Sequence, residues 1–172
     1  NLVAALGAHG YCLWANVNGI ELEGVRGAQA TQPKSIGHSY CLPRRTADRA
    51  WLRGILAKLC APTGRRLRAK QLEARGIASF CGLVRGGGIG GSRRLPHSLF
   101  TTAEIFTAAD ALLFSQPLPN AARFLAVSVT DLAPMSSQAA LFSDAQRPRR
   151  LELAMDAINN KFGEDVVQSG AM

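Results

Sequence analysis

The residues able to do chemistry are few and badly placed for it. His9, His38 and His97 stand far apart, and none has ligand spacing with a cysteine or carboxylate, so they read as structural histidines. Cys12, Cys41, Cys60 and Cys81 lie 29, 19 and 21 residues apart with no C-x-x-C pair. That spacing suits reduced, small apolar cysteines in a cytosolic protein better than zinc ligands or a disulfide framework. Gly86, Gly88 and Gly91 spell G-x-G-x-x-G. A dinucleotide site needs a helix to open there and receive the pyrophosphate, but Ser92-Arg93-Arg94-Leu95-Pro96 follows, and proline lacks the backbone donor. A flexible hairpin turn with Arg93 and Arg94 at its exit is the expectation instead. No nucleophile elbow, H-E-x-x-H or Walker sequence occurs, and the C-terminal acids form no metal-carboxylate cluster. The chain is therefore expected to carry no catalytic residue, no metal and no cofactor of its own.

Charge is the stronger signal. Of 172 residues, 47% are hydrophobic and 19% charged, with a formal net charge of +8, as in a globular protein large enough for one sizeable domain. Residues 34 to 94 hold 14 of the 20 Lys and Arg but only two acids, Asp48 and Glu73, a local excess of twelve positive charges. A polyanion is the natural partner of such a footprint, and a solvated basic helix face explains the charge equally well on composition alone. An anionic membrane is disfavoured, because the segment lacks an exposed Trp, Phe and Leu face. No apolar run approaches the roughly 18 residues of a membrane span. Asn1-Leu2-Val3-Ala4-Ala5-Leu6 has neither an initiator Met nor a basic n-region, so a fragment is expected.

The elements that must position these charges follow from periodicity. Residues 1 to 24 look like short helical turns, and 24 to 33 like a linker. From Ser35 to Leu42, Ile36, His38, Tyr40 and Leu42 alternate with Ser35, Gly37, Ser39 and Cys41, a strand with one bulky and one small face. Thr46 is the expected cap of a helix carrying Leu52, Leu56 and Leu59; Pro62 should kink or interrupt it, and Gly76 should stop its continuation. Strands are expected at 77 to 84, 94 to 99 and 124 to 129. Thr101-Thr102-Ala103-Glu104 is a capping box opening a second helix with Ile105, Ala109 and Leu112 on one face. The order β-α-β-β-α-β predicts an α+β fold, a four-stranded sheet with two helices on one face. A last amphipathic helix carries Leu151, Met155, Ile158 and Phe162 and stops at Gly163.

Two segments suggest binding. Gly37 and Ser39 leave little side chain to keep a ligand from the first strand, whose backbone N–H groups suit a phosphate with Lys34 beside them; glycine for packing at an edge strand competes with that reading and leads it. Gln138-Ala139-Ala140-Leu141-Phe142 places two large apolar residues in a polar stretch between Pro134 and Pro148. It suits a peptide that docks in a partner's pocket, or one that folds back onto its own domain.

Taken together, these strings resemble the C-terminal part of Y-family translesion DNA polymerases of the bacterial DNA polymerase IV type. Leu6-Gly7-Ala8-His9-Gly10 and Asn18-Gly19-Ile20-Glu21 resemble the end of the thumb. Lys34-Ser35-Ile36-Gly37-His38 resembles the first strand of the little finger domain, Gly64-Arg65-Arg66-Leu67-Arg68 the basic end of its first helix, and Arg123 to Val129 its last strand. Gln138 to Phe142 is similar to the family's clamp-binding pentapeptide Q-x-x-L-F, and Ala154 to Gly163 to its C-terminal extension. Ile89 stands where the family usually has an aromatic residue, and Pro62 interrupts a helix that is normally continuous.

The resemblance implies a little finger domain over 31 to 134, preceded by thumb and linker over 1 to 30. A linker with the clamp peptide over 135 to 147 and a helix and tail over 148 to 172 would follow. It implies binding to duplex or primer-template DNA, with Lys34, Ser35, Ile36 and Gly37 on one strand's phosphates and Arg85, Arg93 and Arg94 on the other's. It further implies that Gln138, Leu141 and Phe142 bind the replication sliding clamp, and that the setting is cytoplasmic and nucleoid-associated. The two Mg²⁺ ions of the parent polymerase belong to a palm domain whose carboxylates are not in this sequence, so no activity is expected of the chain alone. The same domain in a catalytically inactive accessory factor is the alternative. An unrelated RNA-binding α+β domain is disfavoured, because no paired surface aromatics for base stacking are expected on the sheet.

Overall fold

The computed structural model describes residues 2–22, 32–115, 117–135, 146–164 and 166–168. The chain divides into two compact units, Asn1–Gln32 and Pro33–Met172. In the first, α1 (Leu2–Leu6) and α2 (Ala8–Val17) pack on each other through Gly10, where a Cβ would lie 2.1 Å from the Leu2 carbonyl oxygen.

The second unit begins with β1 (Ser35–Thr46), α3 (Arg49–Ala69), β2 (Leu72–Leu83) and β3 (Gly88–Leu99). It continues with α4 (Thr102–Leu113), β4 (Ala122–Pro134) and α5 (Arg147–Phe162). The four strands form one antiparallel sheet in the order β1-β4-β2-β3, with α3 and α4 packed on each other and on the sheet. This is the expected α+β architecture, with the C-terminal helix added.

Register decides which side chains meet. Ile36, Val129 and Ile77 are cross-strand partners and all buried, as are Val127 with Ser79 and Leu125 with Cys81 in the next rows. On this face they meet Leu52, Leu56, Leu59, Cys60 and Leu67 of α3 and Ile105, Ala109 and Leu113 of α4. Full burial of each large aliphatic side chain stabilises the unit by about 1.5–3 kcal/mol. His38 and Tyr40 have the same parity as Ile36, but they stand on the edge strand and remain exposed.

Several local expectations are corrected. Asp48, not Thr46, caps α3: its Oδ1 accepts from the N–H groups of Ala50 and Trp51, at 3.0 and 3.2 Å. Thr46 ends β1 and accepts from the Asp48 N–H. Pro62 does not interrupt α3, which runs unbroken from Arg49 to Ala69. The proline deprives only the carbonyl of the exposed Lys58 of a donor, while Leu56, Leu59, Cys60 and Leu67 hold both halves of the helix in the core. The helix turns off at Lys70 and Gln71 (φ +55), so Gly76 lies inside β2 rather than at a helix end. The expected hairpin turn is shorter than the glycine-rich stretch, and Arg93 and Arg94 lie within β3 rather than at the turn's exit. The turn is confined to residues 84–87, and Gly88 already starts β3.

The capping box forms as expected. Thr101 Oγ1 accepts from the Glu104 N–H at 3.1 Å, and Glu104 Oε2 accepts from the Thr101 N–H at 2.9 Å. The last helix stops at Gly163 (φ +117). Its apolar stripe points outward, however: Leu151 is 60% and Phe162 64% exposed, and α5 contains no buried residue. Its polar side faces the body, for a reason that lies in Arg68.

Candidate nucleic-acid interface

The sheet face opposite α3 and α4 is built mostly from small residues, with Phe80 and Phe124 standing among them. One row runs Gly37, Ser128, Ala78, Ser92 across all four strands; the next two run Ser39, Ala126, Phe80, Gly90 and Cys41, Phe124, Gly82, Gly88. Neighbouring strands lie about 4.8 Å apart, so the two edge strands, β1 and β3, are separated by about 14 Å. That distance is close to the roughly 12 Å width of the B-DNA major groove.

The expected contact residues fall on these two edges. Lys34 and Ser35 are exposed at the start of β1, whose outer side offers unpaired backbone groups. Ile36 is different: its side chain is buried in the core, so only its backbone can meet a phosphate. Gly37 has a packing reason for being glycine. A Cβ there would lie 2.6 Å from both Ser128 Cβ and the Val127 carbonyl oxygen, and Arg66 reaches the Gly37 carbonyl at 3.4 Å.

On the far edge, Arg85 is exposed in the β2–β3 turn and its N–H donates to Asn120 Oδ1. Arg93 and Arg94 are both exposed but point to opposite faces. Arg94 pairs with Gly76 on the open side, and Arg93 with Ile77 on the helix side. Arg94 already holds Asp131 Oδ2 at 2.8 Å.

Other cations of the basic segment are occupied at home. Arg68 is 3% exposed, contacts Glu152 at 2.9 Å and Asp156 at 2.6 Å, and donates to the Phe100 carbonyl at 3.1 Å. It belongs to the interior, not to the exposed basic surface. Arg65 reaches Asn160 and Glu164, while Glu73, one of the segment's two acids, is held at 2.7 Å by Arg149 from outside the segment, in α5. Arg53 grips Asp110 through two nitrogens, at 2.6 and 2.7 Å, and the Asp110 hydrogen bond and charge raise its pKa further.

The sequence-level expectation of a sheet without paired aromatics is wrong. Phe80 and Phe124 meet on the open face with ring centroids 6.4 Å apart, and Phe80 is 45% exposed. With Cys41, Gly82, Gly87 and Arg123 they line a cavity of about 240 Å³. The signal was available in β2, where Phe80 falls out of phase with the buried Ile77, Ser79 and Cys81. Its pairing with Phe124 depended on the register of β4. Gln138, Leu141 and Phe142 lie outside the described residues.

The profile of the impB/mucB/samB family C-terminal domain matches residues 33–141. The chain belongs to this family, the C-terminal domain of Y-family DNA polymerases. Among its relatives, DNA polymerase IV of Moorella thermoacetica is 32% identical over 168 residues, which span 96% of this chain and 42% of that protein. DNA polymerase IV of Acetivibrio thermocellus is 30% identical over 183 residues, 99% of this chain and 45% of that protein. The chain thus spans less than half the length of these curated relatives. In fold, this Y-family domain resembles a Y-family DNA polymerase chimera of Dbh and Dpo4, with a TM-score of 0.53, 15% identity, and coverage of 74% of this chain and 36% of that one. The insertion ternary complex of Dbh DNA polymerase gives a TM-score of 0.52 at 15% identity, over 77% of this chain and 38% of that one.

Proposed function

We propose that this chain is the DNA-gripping and clamp-tethering C-terminal region of a DNA-damage-bypass DNA polymerase working at the nucleoid in the cytoplasm. One observation carries the reading: two basic edges, with Lys34 on one and Arg85 and Arg94 on the other, flank a floor of mostly small residues at about the width of a major groove. Arg93 on the second edge faces the helix side and reaches a phosphate only around that edge. Backbone N–H groups of β1 with Lys34 suit the phosphates of one strand, and the arginines those of the other. The small floor lets the sheet approach the duplex. Both sheet-packed helices lie behind it, so neither is placed to read bases, and binding without sequence preference is expected. The names of the relatives support a polymerase as the parent.

The Mg²⁺ ions of phosphoryl transfer do not fit the residues here. Among the described residues no three His, Cys, Asp or Glu side chains gather into a metal-holding group. No catalytic step is assigned to this region. Its role is to hold the substrate while Gln138, Leu141 and Phe142 reach the sliding clamp.

Fluorescence anisotropy with a short duplex at several salt concentrations tests the grip. The dissociation constant is expected at about 10⁻⁴–10⁻⁶ M near physiological salt. Replacing both Arg93 and Arg94 by Ala should flatten the salt slope by up to roughly 2. Asp131→Asn, which releases Arg94, should tighten binding. An unchanged slope in the double variant would remove these arginines from the interface.

A further inference from the structure

We propose that Phe80, backed by Phe124 and rimmed by Arg123, is a stacking site for one unpaired base of single-stranded DNA. The inference rests on the DNA-binding reading above and adds to it a ligand the small-residue floor does not explain. Phe80 projects from β2 onto the face away from both sheet-packed helices, 45% exposed, with its ring 6.4 Å from that of the half-buried Phe124. Glycines surround it. A Cβ on Gly88 would lie 2.3 Å from Phe80 Cζ, one on Gly82 would lie 3.6 Å from Phe80 Cε1, and Gly90 is its cross-strand partner. No side chain at these three positions competes for the face of the ring.

A phenyl ring above glycines also shields their backbone, which is a sufficient structural reason for its presence. It does not account for Arg123, which borders the same cavity, is exposed, and makes no ion pair among the described residues. An aromatic platform beside a free guanidinium matches a nucleotide in both its parts: the base stacks, and the phosphate meets the cation. The cavity, about 240 Å³, is below the about 300–1,000 Å³ of drug-sized ligand sites and suits a single ring system. Paired bases within a duplex present only their edges, so such a platform is open only to a base without a neighbour on one side.

The 172-residue chain should be titrated with a fluorescent oligothymidylate, an oligouridylate and a short blunt duplex. Phe80→Leu keeps an apolar cover over Gly88 but removes the π face. It should weaken oligothymidylate binding about 5- to 100-fold, with the salt slope unchanged because stacking releases no counterions. Duplex binding should be retained and should change far less than oligothymidylate binding. Phe80→Trp should restore single-strand affinity, and Arg123→Ala should lower both affinity and salt slope. If Phe80→Leu binds oligothymidylate as the wild type does, the ring is only a cover for glycine and the proposal fails, whereas retained duplex binding would leave the wider reading standing. Tighter binding of oligouridylate would overturn the assignment to DNA. A wild-type chain that binds neither DNA would bring down both readings.

Discussion

Arg68 Nε lies 2.6 Å from Asp156 Oδ2, and the same guanidinium lies 2.9 Å from Glu152 Oε2, so a helix with no buried residue is fastened to the domain by a buried cation. Thr102 adds its N–H to Glu152 Oε1 at 2.7 Å. Removing one partner from such a cluster costs about 3–5 kcal/mol, because the remaining charges are left without compensation in a dry site. Arg68→Met should therefore release α5. Hydrogen exchange should show its amides losing protection while those of β2 and β4 keep theirs. Asp156→Asn, which retains a hydrogen-bonding oxygen, should do less.

Gly37 offers a separation of stability from binding. Since a Cβ there would collide with Ser128 and Val127, Gly37→Ala should destabilise the domain by about 1–3 kcal/mol, as overpacking does. The urea midpoint measures this. An unchanged midpoint with weakened DNA binding would mean that Gly37 serves ligand approach instead.

The two buried thiols predict an alkaline limit. Burial pushes Cys60 up to about 12 and Cys81 up to about 11 from an ordinary value of 9.0. In this range the folded chain retains protons that the unfolded chain has released, so their contribution to stability is complete below about pH 9 and is lost as pH rises toward the folded values. Cys60→Ala should flatten the fall of the urea midpoint between about pH 9 and pH 11. A thiol reagent at neutral pH should modify the exposed Cys12 and Cys41 rapidly, and Cys60 and Cys81 only on unfolding.

The proposed tether has its own variant. Leu141→Ala with Phe142→Ala should abolish clamp binding in calorimetry and leave duplex affinity unchanged, since neither residue lies in the basic segment. Burial of the two side chains is worth roughly 3–6 kcal/mol before ordering costs, which suits a micromolar, reversible contact. Equal heats from both proteins would return these residues to their own domain.

Local chemistry was readable from the sequence because it acts within a few residues. The Thr101–Glu104 capping box, the stop at Gly163 and the alternation around Ile36 each depend on neighbours in the chain, and the element order followed from such signals as the basic segment did from the count of charges. Tertiary structure decided whatever depended on a partner far along the chain. Insertion of β4 between β1 and β2 made β1 an edge and brought Phe124 to Phe80. The pleat alone puts Arg93 and Arg94 on opposite faces, and register against β2 decided that Arg94 takes the open face and Arg93 the helix side. Core packing on both sides of Pro62 kept α3 whole, although a proline within an isolated helix would break it. Arg68 reads as one more surface cation in a basic run, and only the arrival of Glu152 and Asp156 from the last helix makes it the centre of a buried cluster. Whether an arginine is free for DNA depends on where the acids end up in space, and spacing along one chain does not carry that information.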